Sequence, residues 1–501
     1  MAQTVDLSPV PAALMKSMRH VGYSLETALA DILDNSITAE AAVISVQFRW
    51  NSGEPWVAIC DDGHGMSAAA LHDAMRFGSI SGPGAARTAE DLGRFGLGLK
   101  TASLSQCKRV TVVSKQAGAL NACAWDVDFL EACGEAAWRA LVLSERELAA
   151  DPVACKALAW LAAKPAGTVV LWQKLDQLSA PNLEGPEKHF NDLMDATRQH
   201  IERTFHRFLV AEQNHRALAI DFNGLACVGR NPFGKAVPAR QELEAEEMKI
   251  RGQKVVIRPF ILPHKNKLSK QAYADLGGDA GYAQNQGCYV YRNRRLIVEH
   301  QWFRLMPKTE LTKLLRVQID IPNTLDDCWQ LDVKKSSVAL PLEVRTRLKE
   351  LLPALCESAK RPYKARGRRA LPEKVINMWS REFKDGRVSY VMNEAHPFVK
   401  ALVCDAKGEV DPKKLAYLRI LSGAFPVEAF HVDVNDDEKT EIVSAAAQTE
   451  KEEAVRQLIL FYRDELKRGS AEIATLLQKQ ELPLPEAEWK KLLQEAFHES
   501  K

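Results

Sequence analysis

Four stretches of this chain carry residue types whose spacing suits chemistry. Asp91-Leu92-Gly93-Arg94-Phe95-Gly96-Leu97-Gly98-Leu99-Lys100-Thr101 places three glycines ahead of a helix, with a lysine just inside it. Glycine lets the backbone approach an anion closely and take up φ > 0 at little cost. The free N–H groups and positive dipole end of a helix then face that anion. The order G-x-x-G-x-G is not the dinucleotide fingerprint, and Leu99 separates Gly98 from Lys100 where a P-loop needs them adjacent. On its own the stretch stays ambiguous. Asp31, Asn35 and Thr38 fall at i, i+4 and i+7 and share one helix face. A carboxylate and an amide oxygen one turn apart suit water activation and Mg²⁺, which prefers hard oxygen ligands and takes one or two from protein. The alternative is that Asp34-Asn35-Ser36 is a plain polar helix face. Asp61-Asp62-Gly63-His64-Gly65-Met66 follows an apolar run. Its first aspartate can accept from an exocyclic amine while the glycines leave room for a flat base, although Asp-Gly is also common in ordinary turns. Ala166-Gly167-Thr168 enters a further apolar run, where a hydroxyl could complete the contact to a base through water.

The elements that must position these residues follow from periodicity. Tyr23 to about Ile37 reads as a helix with Leu25, Leu29, Ile32 and Leu33 on one side. Ala42–Trp50 and Trp56–Cys60 read as strands joined by a turn at residues 51–55, and Ser67–Phe77 as a helix. Gly78–Glu90, rich in Gly, Ser, Ala and Pro, reads as a loop. Leu97–Ser105 is a helix, followed by strands near Arg109–Ser114, Ala122–Asp128 and Thr168–Trp172. Strands and helices mix without regular alternation, which predicts an α+β sandwich with helices on one face of a sheet. A helix from about Pro186 to Val210 opens a second region with strands Val255–Leu262, Cys288–Ile297 and Leu315–Ile321 and a closing helix Pro341–Ala359. The expected division is an α/β domain over 1–180, an α/β domain over 181–359, a basic linker over 360–370 and a mostly helical region over 371–501.

Composition bounds the rest. A chain of 501 residues is too long for one core, and 46% hydrophobic with 26% charged residues is an ordinary globular balance. A net charge of +2 restricts any nucleic-acid binding to a local patch. Six of the ten residues Lys360-Arg361-Pro362-Tyr363-Lys364-Ala365-Arg366-Gly367-Arg368-Arg369 are cationic, which fits either such a patch or a solubilising linker. The ten cysteines are scattered with no C-x-x-C pair, the pattern of reduced core thiols. No signal pattern and no apolar run of roughly 20 residues is present, so the expected location is the cytoplasm, away from membranes.

Taken together, Asp31…Asn35, Asp61-x-Gly63-x-Gly65, Gly93-x-x-Gly96-x-Gly98-x-Lys100 and Gly167-Thr168 resemble, in order and spacing, the motifs of the GHKL ATPases. That family includes gyrase, histidine kinases, MutL and MORC proteins, and the resemblance covers about residues 20–175. It implies the Bergerat fold and ATP bound with Mg²⁺. By resemblance, Asn35 is the Mg²⁺ ligand, and Asp61, with Gly63, Gly65 and Met66, holds the adenine, completed by Thr168. Gly93, Arg94, Phe95, Gly96, Leu97, Gly98, Leu99, Lys100 and Thr101 hold the phosphates, and Gly78–Glu90 is the ATP lid. Tyr289-Val290-Tyr291-Arg292-Asn293-Arg294-Arg295-Leu296-Ile297 resembles a strand of MORC proteins, and more loosely of MutL, which points to a prokaryotic-type MORC/MutL-like branch. Trp329 to Ser336 lies where the S5-like transducer domain of MutL carries a lysine that reaches the γ-phosphate; Lys335 is the first choice and Lys334 the second.

Two departures matter. The family's general base is a glutamate where this chain has Asp31, one methylene shorter, and Glu26 lies about 140° away around the helix. Thr38 also replaces a usual aspartate. The resemblance implies slow ATP hydrolysis, homodimerisation when the lid closes, and a clamp or switch on DNA held through Lys360, Arg361, Lys364, Arg366, Arg368 and Arg369. A binding-only switch follows if Asp31 cannot reach the water. A chaperone-like or scaffold ATPase is the alternative, with Val455, Leu458, Ile459 and Tyr462 as a client surface; such a stripe otherwise means core packing.

Overall fold

The structure is a computed structural model describing residues 9–20, 22–77, 92, 98–134, 138–178, 185–212, 215–234, 237, 239–278, 280–329, 339–367, 378–384, 387–404, 409–423, 448–465, 467–478 and 484–498. The expected lid at 78–90, residues Gly93 to Leu97, Lys334, Lys335, Arg368, Arg369 and the acidic run 433–441 lie outside the described residues. The chain divides into two compact units, Met1–Pro362 and Tyr363–Lys501. It is an α+β protein, with helices and three sheets among the described residues.

The first unit begins with α1 (Pro11–Arg19), α2 (Leu25–Thr38), β1 (Val43–Arg49), β2 (Trp56–Asp61), α3 (Ala68–Met75) and α4 (Gly98–Gln106). Next come β3 (Arg109–Gln116), β4 (Ala119–Asp126), α5 (Val127–Ala132), β5 (Leu141–Val142), α6 (Glu145–Ala150), α7 (Pro152–Ala162) and β6 (Gly167–Gln173). They are followed by α8 (Pro186–Thr204), β7 (Ala219–Phe222) and β8 (Leu225–Ala226). The eight strands form one sheet in the order β5-β4-β3-β6-β2-β1-β7-β8. Its last two strands come from beyond residue 180, where a domain boundary was expected. β7 pairs parallel with β1, Val43 opposite Ala219 and Val46 opposite Phe222.

α2 starts where Ser24 accepts a hydrogen bond from the Thr27 N–H, 3.4 Å, an N-cap that satisfies one orphan donor. Its apolar residues Leu25, Leu29, Ile32 and Leu33 are buried, and it packs against α4 and α8. Successive residues of a strand point to opposite faces. β2 is nevertheless buried at every position, and β6 at all but its last. The centre of the sheet is therefore covered on both faces, where the sequence suggested one, and α7 packs on both strands.

The second sheet uses β9 (Gln241–Glu242), β10 (Glu246–Ile250), β11 (Gln253–Ile261), β12 (Gly287–Arg292), β13 (Arg295–Gln301) and β14 (Leu315–Ile321). The order is β10-β11-β14-β12-β13, with β9 on β11, and β12 runs parallel to β14. The expected single strand Cys288–Ile297 is in fact a hairpin. Asn293 and Arg294 take φ of 45° and 71°, and the chain reverses there. Asparagine tolerates this left-handed region, so the turn signal was present inside an otherwise apolar run. The helix expected to end at Ala359 continues from Leu342 to Gly367, so the first part of the basic cluster is helical.

The second unit carries a hairpin, Trp379–Lys384 with Arg387–Met392, and helices Pro397–Val403, Pro412–Gly423, Gln448–Leu460, Ser470–Gln478 and Glu486–His498. Val455, Leu458, Ile459 and Tyr462 are buried there against Ile473, Leu477, Trp489 and Leu493. The stripe weighed as a client surface is core.

Candidate functional site

At one end of the cleft, three strands bring polar residues abreast. Asp61 on β2 lies opposite Thr168 on β6, which lies opposite Ser114 on β3. The Ser36 hydroxyl donates to Asp61 Oδ2 at 2.9 Å, and the Gly63 N–H donates to Oδ1 at 3.0 Å. The carboxylate offers about four acceptor sites, so with the Thr168 N–H also donating, about one is left for an amine. Burial pushes the Asp61 carboxyl above its usual range, opposed by the Gly63, Ser36 and Thr168 hydrogen bonds. Asp62 does different work, accepting from the Ala42 and Val43 N–H groups at 2.8 and 2.7 Å. Ser114 was not singled out from sequence. Its hydroxyl lies 2.9 Å from Thr168 Oγ1 and accepts from the Met66 N–H at 2.8 Å, joining two expected base-binding residues. A serine in the middle of a strand carries no motif, so only the register finds it.

On the inward face of α2, Asp31 is 4% exposed. Its Oδ2 accepts from the Tyr23 hydroxyl at 3.0 Å, and its Oδ1 lies 3.5 Å from the Arg295 guanidinium. The same Oδ2 lies 4.0 Å from where a Cβ on Gly98 would stand, so the carboxylate looks at the first residue of α4. One turn on, Asn35 is exposed in an otherwise buried stretch of helix, and Thr38 is exposed too. Its amide oxygen is accessible to a hard cation, which fits the expected Mg²⁺. Among the described residues no cluster of three or more His, Cys, Asp or Glu could hold a metal. Any Mg²⁺ here would then draw on phosphate oxygens and water for most of its ligands.

Lys100 stands elsewhere than expected. It is 2% exposed, and its Nζ donates to the carbonyls of Ala74 and Arg76 at 2.9 and 2.8 Å, at the C-terminal end of α3. Trp125 Nε1 donates to the Met75 carbonyl between them at 2.8 Å. Three successive orphan carbonyls of the helix end are thus satisfied by side chains from α4 and β4. Leu99 is half-buried and Thr101 buried on the same helix.

Burial lowers Lys100 from the ordinary 10.5 to about 8, opposed by Asp73. The folded value lies below the unfolded one, so the unfolded chain binds the proton more tightly. Lys100 therefore costs stability below pH 8, and that cost fades as pH rises toward 10.5. Denaturation of wild type and Lys100→Met between pH 7.5 and 10 is expected to show the difference shifting in favour of wild type as pH rises. A difference independent of pH contradicts this environment for the lysine.

Two further arginines were missed. Arg292, at the end of β12, grips Asp326 through Nε and a terminal nitrogen at 2.7 and 2.8 Å, and donates to the Leu92 carbonyl at 2.9 Å. Arg295, at the start of β13, sets its Nε 3.0 Å from Asp34 Oδ1 as well as facing Asp31. The signal lay in Arg292-Asn293-Arg294-Arg295 read as a turn. Of the basic cluster, Lys360, Arg361, Lys364 and Arg366 lie on the helix Leu342–Gly367. Lys360 pairs with Glu357 at 3.1 Å. No helix among the described residues is long and apolar enough to cross a membrane.

Residues 23–156 match the family described as histidine kinase-, DNA gyrase B-, and HSP90-like ATPase. A similar protein is the "ATPase morc-1" of Caenorhabditis elegans, 28% identical over 118 residues that make up 24% of this chain and 13% of that protein. The matched region holds α2, β2, α4 and the carboxylates Asp31 and Asp61, the parts that build the cleft. Residues 23–156 are therefore a GHKL ATPase domain, and its likeness is to the MORC-like branch.

Proposed function

We propose that this chain hydrolyses ATP slowly, closes into a homodimer when nucleotide is bound, and acts as a clamp or switch on DNA. The observation that carries the reading is the pair on α2, a buried Asp31 facing Gly98 and an exposed Asn35 one turn away. Asp61, aligned by Ser36 and Gly63, accepts from the adenine amine, and the Ser114–Thr168 pair borders the base. Asn35 would hold Mg²⁺, and the ion would supply positive charge to the phosphates. Asp31 takes the proton of the attacking water while water oxygen bonds to the γ-phosphorus and the bond to ADP breaks. Lys335, or Lys334, supplies positive charge toward the γ-phosphate, the role a transducer-like region over 181–359 would carry. The basic segment 360–369 neutralises DNA phosphates, which makes affinity fall steeply with salt.

The test has two arms. Light scattering with Mg²⁺ and a non-hydrolysable ATP analogue is expected to give a dimer, and a monomer at every concentration overturns the clamp. ATP turnover is expected to rise with DNA at low salt and lose that stimulation at moderate salt. Turnover indifferent to DNA, together with no DNA retained on a filter at low salt, removes DNA as the partner.

A further inference from the structure

The turn between β12 and β13 belongs to the second sheet, yet both arginines that flank it reach the cleft of the first. It is held at its base by β14: the Asn293 N–H donates to the Ile321 carbonyl at 3.1 Å, and Asn293 Oδ1 accepts from the Asn323 N–H at 3.2 Å. From this fixed turn Arg292 fastens the carbonyl of Leu92, next to the glycine run, and Arg295 enters between two carboxylates of α2. Arg295 is 4% exposed, and its guanidinium carbon stands 5.7 Å from the Phe205 ring centre.

The two contacts of Arg295 are unequal. Nε stands 3.0 Å from Asp34 Oδ1 as an ion pair without the geometry of a hydrogen bond, while a terminal nitrogen donates to Asp31 Oδ1 in a long hydrogen bond of 3.5 Å. A base gripped tightly by a cation would be a poor proton acceptor, because an adjacent positive charge favours its ionised form. Here the hydrogen bond to Asp31 is long, and the neighbouring Asp34 carboxylate offsets part of the guanidinium charge. Arg295 is left to orient Asp31 Oδ1 while the Tyr23 hydroxyl fixes Oδ2. An aspartate side chain has two rotatable bonds, and two contacts on opposite oxygens restrict both.

We propose that Arg295 is a positioning residue for ATP hydrolysis, holding Asp31 toward Gly98 and so making turnover depend on the second sheet. The inference rests on the reading of Asp31 as the general base. It also accounts for how an aspartate can stand where a longer glutamate is usual: what reach it lacks is offset by fixed direction. Misplacing a reacting group by about 1 Å can cost on the order of a hundredfold in rate.

The experiment uses the full chain and four variants, Arg295→Met, Arg295→Lys, Arg295→Met with Asp34→Asn, and Asp31→Asn, reading ATP affinity by displacement of a fluorescent nucleotide and turnover at saturating ATP. Arg295→Met is expected to lower kcat by about tenfold or more, with affinity changed by less than about threefold. Arg295→Lys should recover part of the loss, since it returns the charge without the planar fork. The double variant removes the buried charge that Arg295→Met leaves without its guanidinium, so it folds where the single one is too unstable, and it should stay slow. Wild-type kcat in the double variant overturns the proposal, because Arg295 would then serve only to neutralise Asp34. So does a parallel loss of affinity and kcat in all Arg295 variants. Full turnover in Asp31→Asn instead sinks the general-base reading, whatever the arginine does.

Discussion

Asp31→Asn is expected to stop ATP turnover while leaving ATP binding close to wild type. The amide has the shape of the carboxylate but takes no proton from water. A positioned general base is worth about 10²–10⁴ in rate, or roughly 3–5 kcal/mol of barrier. The substitution suits the surroundings. The amide oxygen can face Arg295, and the amide NH₂ can donate to Tyr23, whose hydroxyl accepts as well as donates. Folding should therefore survive, and the loss should sit in kcat with affinity for ATP retained. Phosphate release under saturating ATP, beside a direct binding measurement, checks it. A wild type without turnover but with tight ATP binding would favour the binding-only switch, and a variant as fast as wild type would remove Asp31 from the chemistry.

Gly65→Ala should be among the most damaging single methyls in the nucleotide domain. Gly65 has φ of +67°, and a Cβ there runs into the backbone carbonyl of Lys115, which cannot swing aside because β3 is paired on both edges. Two costs add: a left-handed backbone for a residue with a side chain, about 1 kcal/mol, and a collision with a sheet. The sum is expected to exceed about 4 kcal/mol, the range kept for core disruption. Gly118→Ala separates them. Gly118 has a similar φ of +82° with nothing within 4 Å of its Cβ position, so only the backbone cost of about 1 kcal/mol should appear. Equal denaturation midpoints for the two variants would show that the Lys115 carbonyl does not press on Gly65.

The legible parts of this molecule were those whose signal is local. α2 announced itself by Leu25, Leu29, Ile32 and Leu33, and β2 by an unbroken apolar run before Asp61. The partners of Asp61 and Thr168 were less legible, because Ser36 is 25 residues from Asp61 and Ser114 is 54 from Thr168. The first distance is closed by the packing of α2 on β2 and the second by strand register, neither of which a single chain displays. Lys100 misled for a related reason. A lysine after a glycine run suits an anion, but the end of α3 competes for it with the carbonyls of Ala74 and Arg76. The hairpin at Asn293 was the most consequential omission, since reading it as one strand would put Arg292 and Arg295 on opposite faces of a sheet.

The parallel pairing of β7 with β1 bears on how the nucleotide domain can be isolated. A fragment ending near residue 180 would keep every motif of the cleft and lose the strand that covers the outer side of β1. Val43 to Val46 would then present a bare row of peptide donors and acceptors, flanked by the apolar side chains of Ile44 and Val46. Such a rim invites strand addition from a neighbouring copy. Association of that fragment would be an artefact of the cut, easily mistaken for nucleotide-driven dimerisation. β7 thus covers the edge of β1 that such a cut would bare.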